Sequence, residues 1–196
     1  MHPLGPRLRR VVLVVVLALG LVVLDGCTDD AGDRPSASAG DDASEEATAH
    51  VVTRVTRVVG RLPDARRQAV RLRTQEIVEG YLRRAMAQDQ QSWADLPGFT
   101  EGAQDLARRH RDVLTVAGVP GLEDVQPGRS AAYVAVLAPR GRVAGATANV
   151  DLVLRVTAEG VTQPWRVGGR LLLTNTPGGL KVFGFDLHRS GAGGGA

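Results

Sequence analysis

From Gly118 to His188 the chain reads as one extended segment after another, each closed by a turn signal. Pro139-Arg140-Gly141, Ala158-Glu159-Gly160 and Thr176-Pro177-Gly178-Gly179 separate runs at Ser130–Ala138, Arg142–Thr157, Gln163–Thr174 and Leu180–His188. A shorter extended run lies at Leu122–Gln126. Within the runs, apolar and polar residues alternate. Val150, Leu152, Leu154 and Val156 fall in one phase, and Asp151, Arg155 and Thr157 in the other. Trp165, Val167, Leu171 and Leu173 form a second apolar set. Successive side chains of a strand point to opposite faces, so this stretch predicts an antiparallel sheet with one apolar face. Such a face has to be covered.

The cover is predicted upstream. Pro63 and Asp64 start a helix that runs to about Gln88, with a face built from Ala69/Val70, Ile77/Val78, Tyr81/Leu82 and Ala85/Met86. Opposite that face, Glu79 and Arg83 stand four apart, a favourable spacing for an ion pair. Gly80 costs about 1 kcal/mol against Ala in mid-helix, so another element is expected to pack close to it. Asp95–Thr100 reads as a turn, and Thr100 can cap a second helix to about Thr115. Ala103, Leu106, Ala107, His110, Val113 and Leu114 share its inner face. In HVVTRVTRVVG, from His50, the valines fit a helical stripe, but almost every residue that is not arginine is β-branched, which predicts a strand. The sum is an α+β domain over 51–190, with N-terminal helices on one face of a curved antiparallel sheet of four to six strands.

This layout resembles the nuclear-transport-factor-2-like, or cystatin-like, cone. LPGFTEGAQDLARRHRDVLT (96–115) and WRVGGRLLLTNTPGGLKVFGFDLHRS (165–190) resemble segments of actinobacterial secreted or lipidated proteins with that fold. The strand, glycine turn and KVFGFDL ending is also similar to Mce-associated proteins, membrane-anchored accessories of lipid-uptake transporters. The resemblance implies a pocket between sheet and helices. Some members of the fold use a buried Asp or His there as isomerases or dehydratases, and many only bind.

The segment before the domain speaks of location. Arg7, Arg9 and Arg10 precede Val11–Leu24, fourteen residues without a polar side chain. As a helix these reach about 21 Å, short of the roughly 30 Å of a bilayer core and right for the apolar region of a signal peptide. Cys27, the only cysteine, follows in Leu24-Asp25-Gly26-Cys27. That tetrapeptide resembles a bacterial lipobox in Leu24 and Gly26 and departs from it at Asp25. Three readings stand: a lipoprotein anchored through lipidated Cys27, an uncleaved membrane anchor, or a freely secreted chain. All three place the domain outside the cytoplasm, the first two on the cell membrane. Residues 28–50 hold seven acids, one base and no large apolar residue before His50, a composition that predicts a disordered acidic linker. Residues 191–196, all Gly and Ala, read as a frayed tail.

From residue 51 onward, 20 basic residues face 13 acidic ones. A basic domain can meet nucleic acid or an anionic surface. Nucleic acid is not expected, since no helix-turn-helix, zinc-finger or RNP pattern is present and aromatics are only 4%. No P-loop, G-x-G-x-x-G or G-x-S-x-G motif appears. His50, His110 and His188 lack metal-ligand spacing, so no metal and no cofactor is expected.

The acid–base candidates are few. Asp186 and His188 lie two apart on one strand and share a face, which could form a proton-transfer pair or a solvated rim. His110 is expected as a core histidine. Asp151 with Arg155, and Arg166 with Arg170, read as solvated sheet surface. Trp93, Phe99, Trp165, Phe183 and Phe185 can line a pocket, though so few aromatics are expected mostly in the core. Asp186, His188 and Trp165 are therefore the pocket residues to locate. The functional expectation is a non-enzymatic envelope lipoprotein, an accessory or binding module for a partner protein or an apolar ligand. The alternative is a small isomerase- or dehydratase-like enzyme on the same fold.

Overall fold

The computed structural model describes residues 49–87 and 95–190. The expectations for the signal segment, Cys27, Trp93, the 191–196 tail and the linker before Ala49 lie outside the described residues. The element order is β1 (Val51–Gly60), α1 (Asp64–Met86), α2 (Glu101–Arg109), α3 (Arg111–Leu114), β2 (Leu122–Pro127), β3 (Ser130–Ala138), a 3₁₀ turn (Pro139–Gly141), β4 (Gly145–Ala158), β5 (Val161–Thr176) and β6 (Gly179–Ser190). The valine-rich opening is thus a strand, as its β-branching predicts.

The strands form one sheet in the order β1-β3-β4-β5-β6, and β2 pairs the far end of β4 beyond β3. The sheet is mixed, which corrects the all-antiparallel expectation. β1 runs parallel to β3 from Val51↔Ser130 to Gly60↔Ala138, whereas the other pairings are antiparallel. The cause is the helix between them. The 23 residues of α1 carry the chain back about 35 Å, nearly the length of the ten-residue β1. The next strand on that edge therefore starts from the same end, as a parallel pair requires.

One face of the sheet carries the core. Val134, Val136, Leu152, Val156, Leu171 and Leu173 are buried there, in the same cluster as Ile77, Val78, Tyr81 and Leu82 of α1. Ala69 is exposed, so the buried face of α1 begins at Val70. Glu79 does not pair with Arg83. Its carboxylate accepts hydrogen bonds from the Val51 N–H at 3.2 Å and from Gln75 at 2.9 Å, with His50 Nδ1 at 3.5 Å. It thereby satisfies the first backbone donor of an edge strand. Gly80 is not a close-approach site either: an added Cβ would meet only Arg83 Nη2, at 3.8 Å.

Thr100 caps α2 as expected, accepting from the Ala103 N–H. The helix then breaks at His110 (φ −108°, ψ 27°) rather than running on to Thr115. The bend turns the chain toward the C-terminal end of α1. There the Tyr81 hydroxyl donates to the Leu114 carbonyl at 2.9 Å, and the Val116 N–H donates to Ala85. Burial raises the Tyr81 pKa well above that of an ordinary phenol, so the hydroxyl stays protonated and donates.

Candidate functional site

The register of β5 and β6 decides the fate of the predicted pocket residues. Asp186 is opposite Arg170, and His188 is opposite Gly168. Both point away from the helices, as does Arg170. The Asp186 carboxylate accepts from Arg170 Nη2 at 2.8 Å, and both side chains are exposed. His188 shares that face, as the spacing predicts, but its ring lies over Gly168, with Nε2 3.5 Å from where a Cβ would stand. Asp186 is committed across the sheet, and the two do not form a hydrogen-bonded dyad. Gly169 carries the local twist: its φ is +135°, and a Cβ there would sit 2.1 Å from the Asp186 carbonyl oxygen.

Trp165 lies on the opposite, helix-covered face, 9% exposed. The Arg189 guanidinium stands 4.4 Å over its ring and donates to the Asp112 carbonyl at 3.0 Å. This cation–π clamp ties β6 to α3. The indole N–H has no hydrogen-bond partner among the described residues. Trp165 is a core anchor and does not share a site with Asp186 and His188.

His110 is exposed rather than core, because the helix breaks there. With Leu106, Val113, Leu114 and Phe185 it lines a shallow pocket of about 250 Å³ against β6. Asp186 also borders this pocket, but its carboxylate is engaged by Arg170. Phe99 is buried and meets Phe185 with ring centroids 6.5 Å apart.

The face of the sheet turned from the helices holds features that the sequence reading missed. No described residue packs over it. Tyr133, Leu137 and Phe183, 45%, 50% and 52% exposed, stand on it, where a solvated sheet would carry polar side chains. Leu137, Phe183, Leu172, Ala135 and Thr147 line a depression of about 220 Å³. The phase was readable: Tyr133 and Leu137 alternate with Val134 and Val136. Phe183 reaches this face beside the β-bulge that separates the Leu172↔Gly184 and Leu173↔Val182 pairs. The remainder of the face is charged. Arg54, Arg57, Arg155, Arg166, Arg170 and Lys181 stand there with Asp151 and Asp186. Arg166 reaches Asp151 at 3.7 Å, and the Asp151/Arg155 and Arg166/Arg170 sets are surface, as expected.

Among the described residues there is no group of three or more metal-ligating side chains, and no helix is long and apolar enough to cross a membrane. No family model matches the chain, and neither does any curated protein or solved structure, so the resemblance drawn from 96–115 and 165–190 rests on those residues alone.

Proposed function

We propose that this chain is a non-enzymatic binding module held outside the cytoplasmic membrane by its N-terminal segment. Its open sheet face receives a partner protein with an apolar centre and an acidic rim. The observation that carries the reading is the apolar patch of Tyr133, Leu137, Leu172 and Phe183 on a face that no described residue covers. Exposed apolar clusters rimmed by polar residues mark protein contact sites. Charge selects the partner. Two copies stacked face to face would oppose their arginine rows, whereas an acidic rim complements Arg54, Arg57 and Arg155. The helix-on-sheet domain is taken as a cystatin-like cone whose interior is filled by Ile77, Val78, Tyr81 and Leu82. A filled cone and the separation of Asp186, His188 and Trp165 support binding over catalysis. The extracytoplasmic tether is supported by the Val11–Leu24 and Leu24–Cys27 sequences.

The test is a photo-crosslinker placed at Tyr133 or Leu137, with Leu72 on the outer side of α1 as control. One discrete adduct, absent from Leu72 and lost on Phe183→Glu while the circular dichroism is unchanged, is expected. An adduct of twice the chain mass would replace the foreign partner with a second copy. Equal labelling from Leu72 would end the docking reading.

A further inference from the structure

The charge of this domain is not spread evenly along the sheet. At the end where β1 finishes, Arg57, Arg61, Arg66, Arg67, Arg140 and Arg142 gather, and Asp64 is the one carboxylate among these segments. Two hydrogen-bonded and packed loops bring them together. Arg66 Nη1 donates to the Gly141 carbonyl at 2.6 Å, and the Arg61 carbonyl lies 3.8 Å from where a Gly141 Cβ would stand. Arg57, Arg61 and Arg67 line a groove of about 410 Å³ between β1 and α1. The Asp64–Arg67 contact is long, 3.7 Å, and exposed, so it neutralises little. Arg61, Arg140 and Arg142 have no carboxylate partner among the described residues.

Beside this groove the same end carries an apolar slot of about 240 Å³, lined by Ala69, Val70, Val143 and Leu180 with Arg66 and Arg73 at its rim. Arg73 is held in place by Glu76 at 2.7 Å and by the Leu180 carbonyl. The slot is smaller than the roughly 300–1,000 Å³ that encloses a small-molecule ligand. It can seat part of an apolar chain but not surround a whole one. Among the described residues no aromatic ring lines this groove or slot, so they supply no base-stacking platform for a single-stranded nucleic acid. Cations spread over two loops and a helix, next to an apolar slot, match a surface of anionic amphiphiles better than one small anion.

We infer that this arginine pole binds an anionic phospholipid surface, with guanidiniums on the headgroup phosphates and Ala69 and Val143, at the mouth of the slot, against the upper acyl region. It lies at one end of the sheet and shares only Arg57 with the docking face proposed above. The chain joins the domain at Val51, at the opposite end of β1, about 33 Å away. The pole is thus remote from the point of attachment and able to meet a surface in trans.

The experiment follows that geometry. The full chain is carried on phosphatidylcholine vesicles through an N-terminal polyhistidine tag on chelating lipid. Protein-free fluorescent vesicles containing phosphatidylglycerol are then offered, and their capture is measured by flotation. Capture that weakens with salt is expected, with no capture of phosphatidylcholine targets. Each arginine at an anionic surface contributes about fivefold, so the triple change Arg61→Gln, Arg140→Gln, Arg142→Gln should weaken capture by about 100-fold. Removing equal charge elsewhere, through Arg83→Gln, Arg109→Gln and Arg129→Gln, should leave most of it. Equal loss in both variants would reduce the effect to net charge and overturn the assignment. Equal capture of phosphatidylcholine targets, or displacement by soluble polyglutamate at charge equivalence, would also overturn it, the latter in favour of an acidic protein.

Discussion

The Tyr81 hydroxyl offers a sharp test of how the C-terminal half of α1 is fastened. Tyr81→Phe removes a 2.9 Å hydrogen bond at a side chain only 2% exposed. A net hydrogen bond contributes about 0.5–1.5 kcal/mol, and an abandoned buried acceptor costs about 1–3 kcal/mol. The Leu114 carbonyl becomes such an acceptor, so a loss of about 1–3 kcal/mol is expected near pH 8. The same site has a pH signature. Burial raises the folded pKa of Tyr81 above the roughly 10 of an ordinary phenol. The unfolded chain therefore releases this proton first, and the stabilising contribution is complete below about pH 10 and lost as pH rises toward the folded value. One proton corresponds to about 1.4 kcal/mol per pH unit, which by about pH 11 removes about 1.4 kcal/mol from the wild type alone. Phenylalanine cannot ionise, and the exposed Tyr133 is common to both proteins. Urea unfolding followed by circular dichroism from about pH 8 to pH 11 should show the gap between wild type and variant narrowing by about that amount. A gap that stays constant would refute the claim that a protonated Tyr81 fastens α1 to α3.

Two glycines should respond in opposite directions. Gly80→Ala has room and should stabilise by about 1 kcal/mol, whereas Gly169→Ala drives a Cβ into the Asp186 carbonyl at positive φ and should cost about 2–4 kcal/mol, both read from urea midpoints. Trp165→Ala should cost about 3–5 kcal/mol, while Asp186→Ala, at an exposed pair with Arg170, should change stability by about 1 kcal/mol or less; a comparable loss from both would contradict their placement on opposite faces. Cys27→Ser should release the protein from membranes or block its maturation, and an unmodified Cys27 thiol in the mass spectrum of the wild type would end the lipoprotein reading.

The sequence by itself determined what is local. Alternation placed Val150, Leu152, Leu154 and Val156 on one buried face, because the two-residue period of a strand is intrinsic to the backbone. Glycine and proline turns set the ends of the last three strands to within a few residues, and Thr100 announced its own helix. Tertiary structure decided what depends on distant partners. The parallel pairing of β1 with β3 needs the length of α1 measured against the sheet, and no residue in Val51–Gly60 encodes it. Glu79 turned to the β1 backbone because an unpaired strand donor lay within reach, and so left its helical neighbour Arg83. His110 left the core because the chain had to bend for Leu114 and Val116 to reach Tyr81 and Ala85. Asp186 and His188 did share a face, as spacing requires, but only the β5–β6 register could bring Arg170 to Asp186. The same register left Phe183 and Leu172 beside Leu137 on the open face. The arginine pole, too, is invisible along the chain, since Arg61 and Arg142 lie about eighty residues apart in sequence. They meet because two loops emerge at the same end of one sheet.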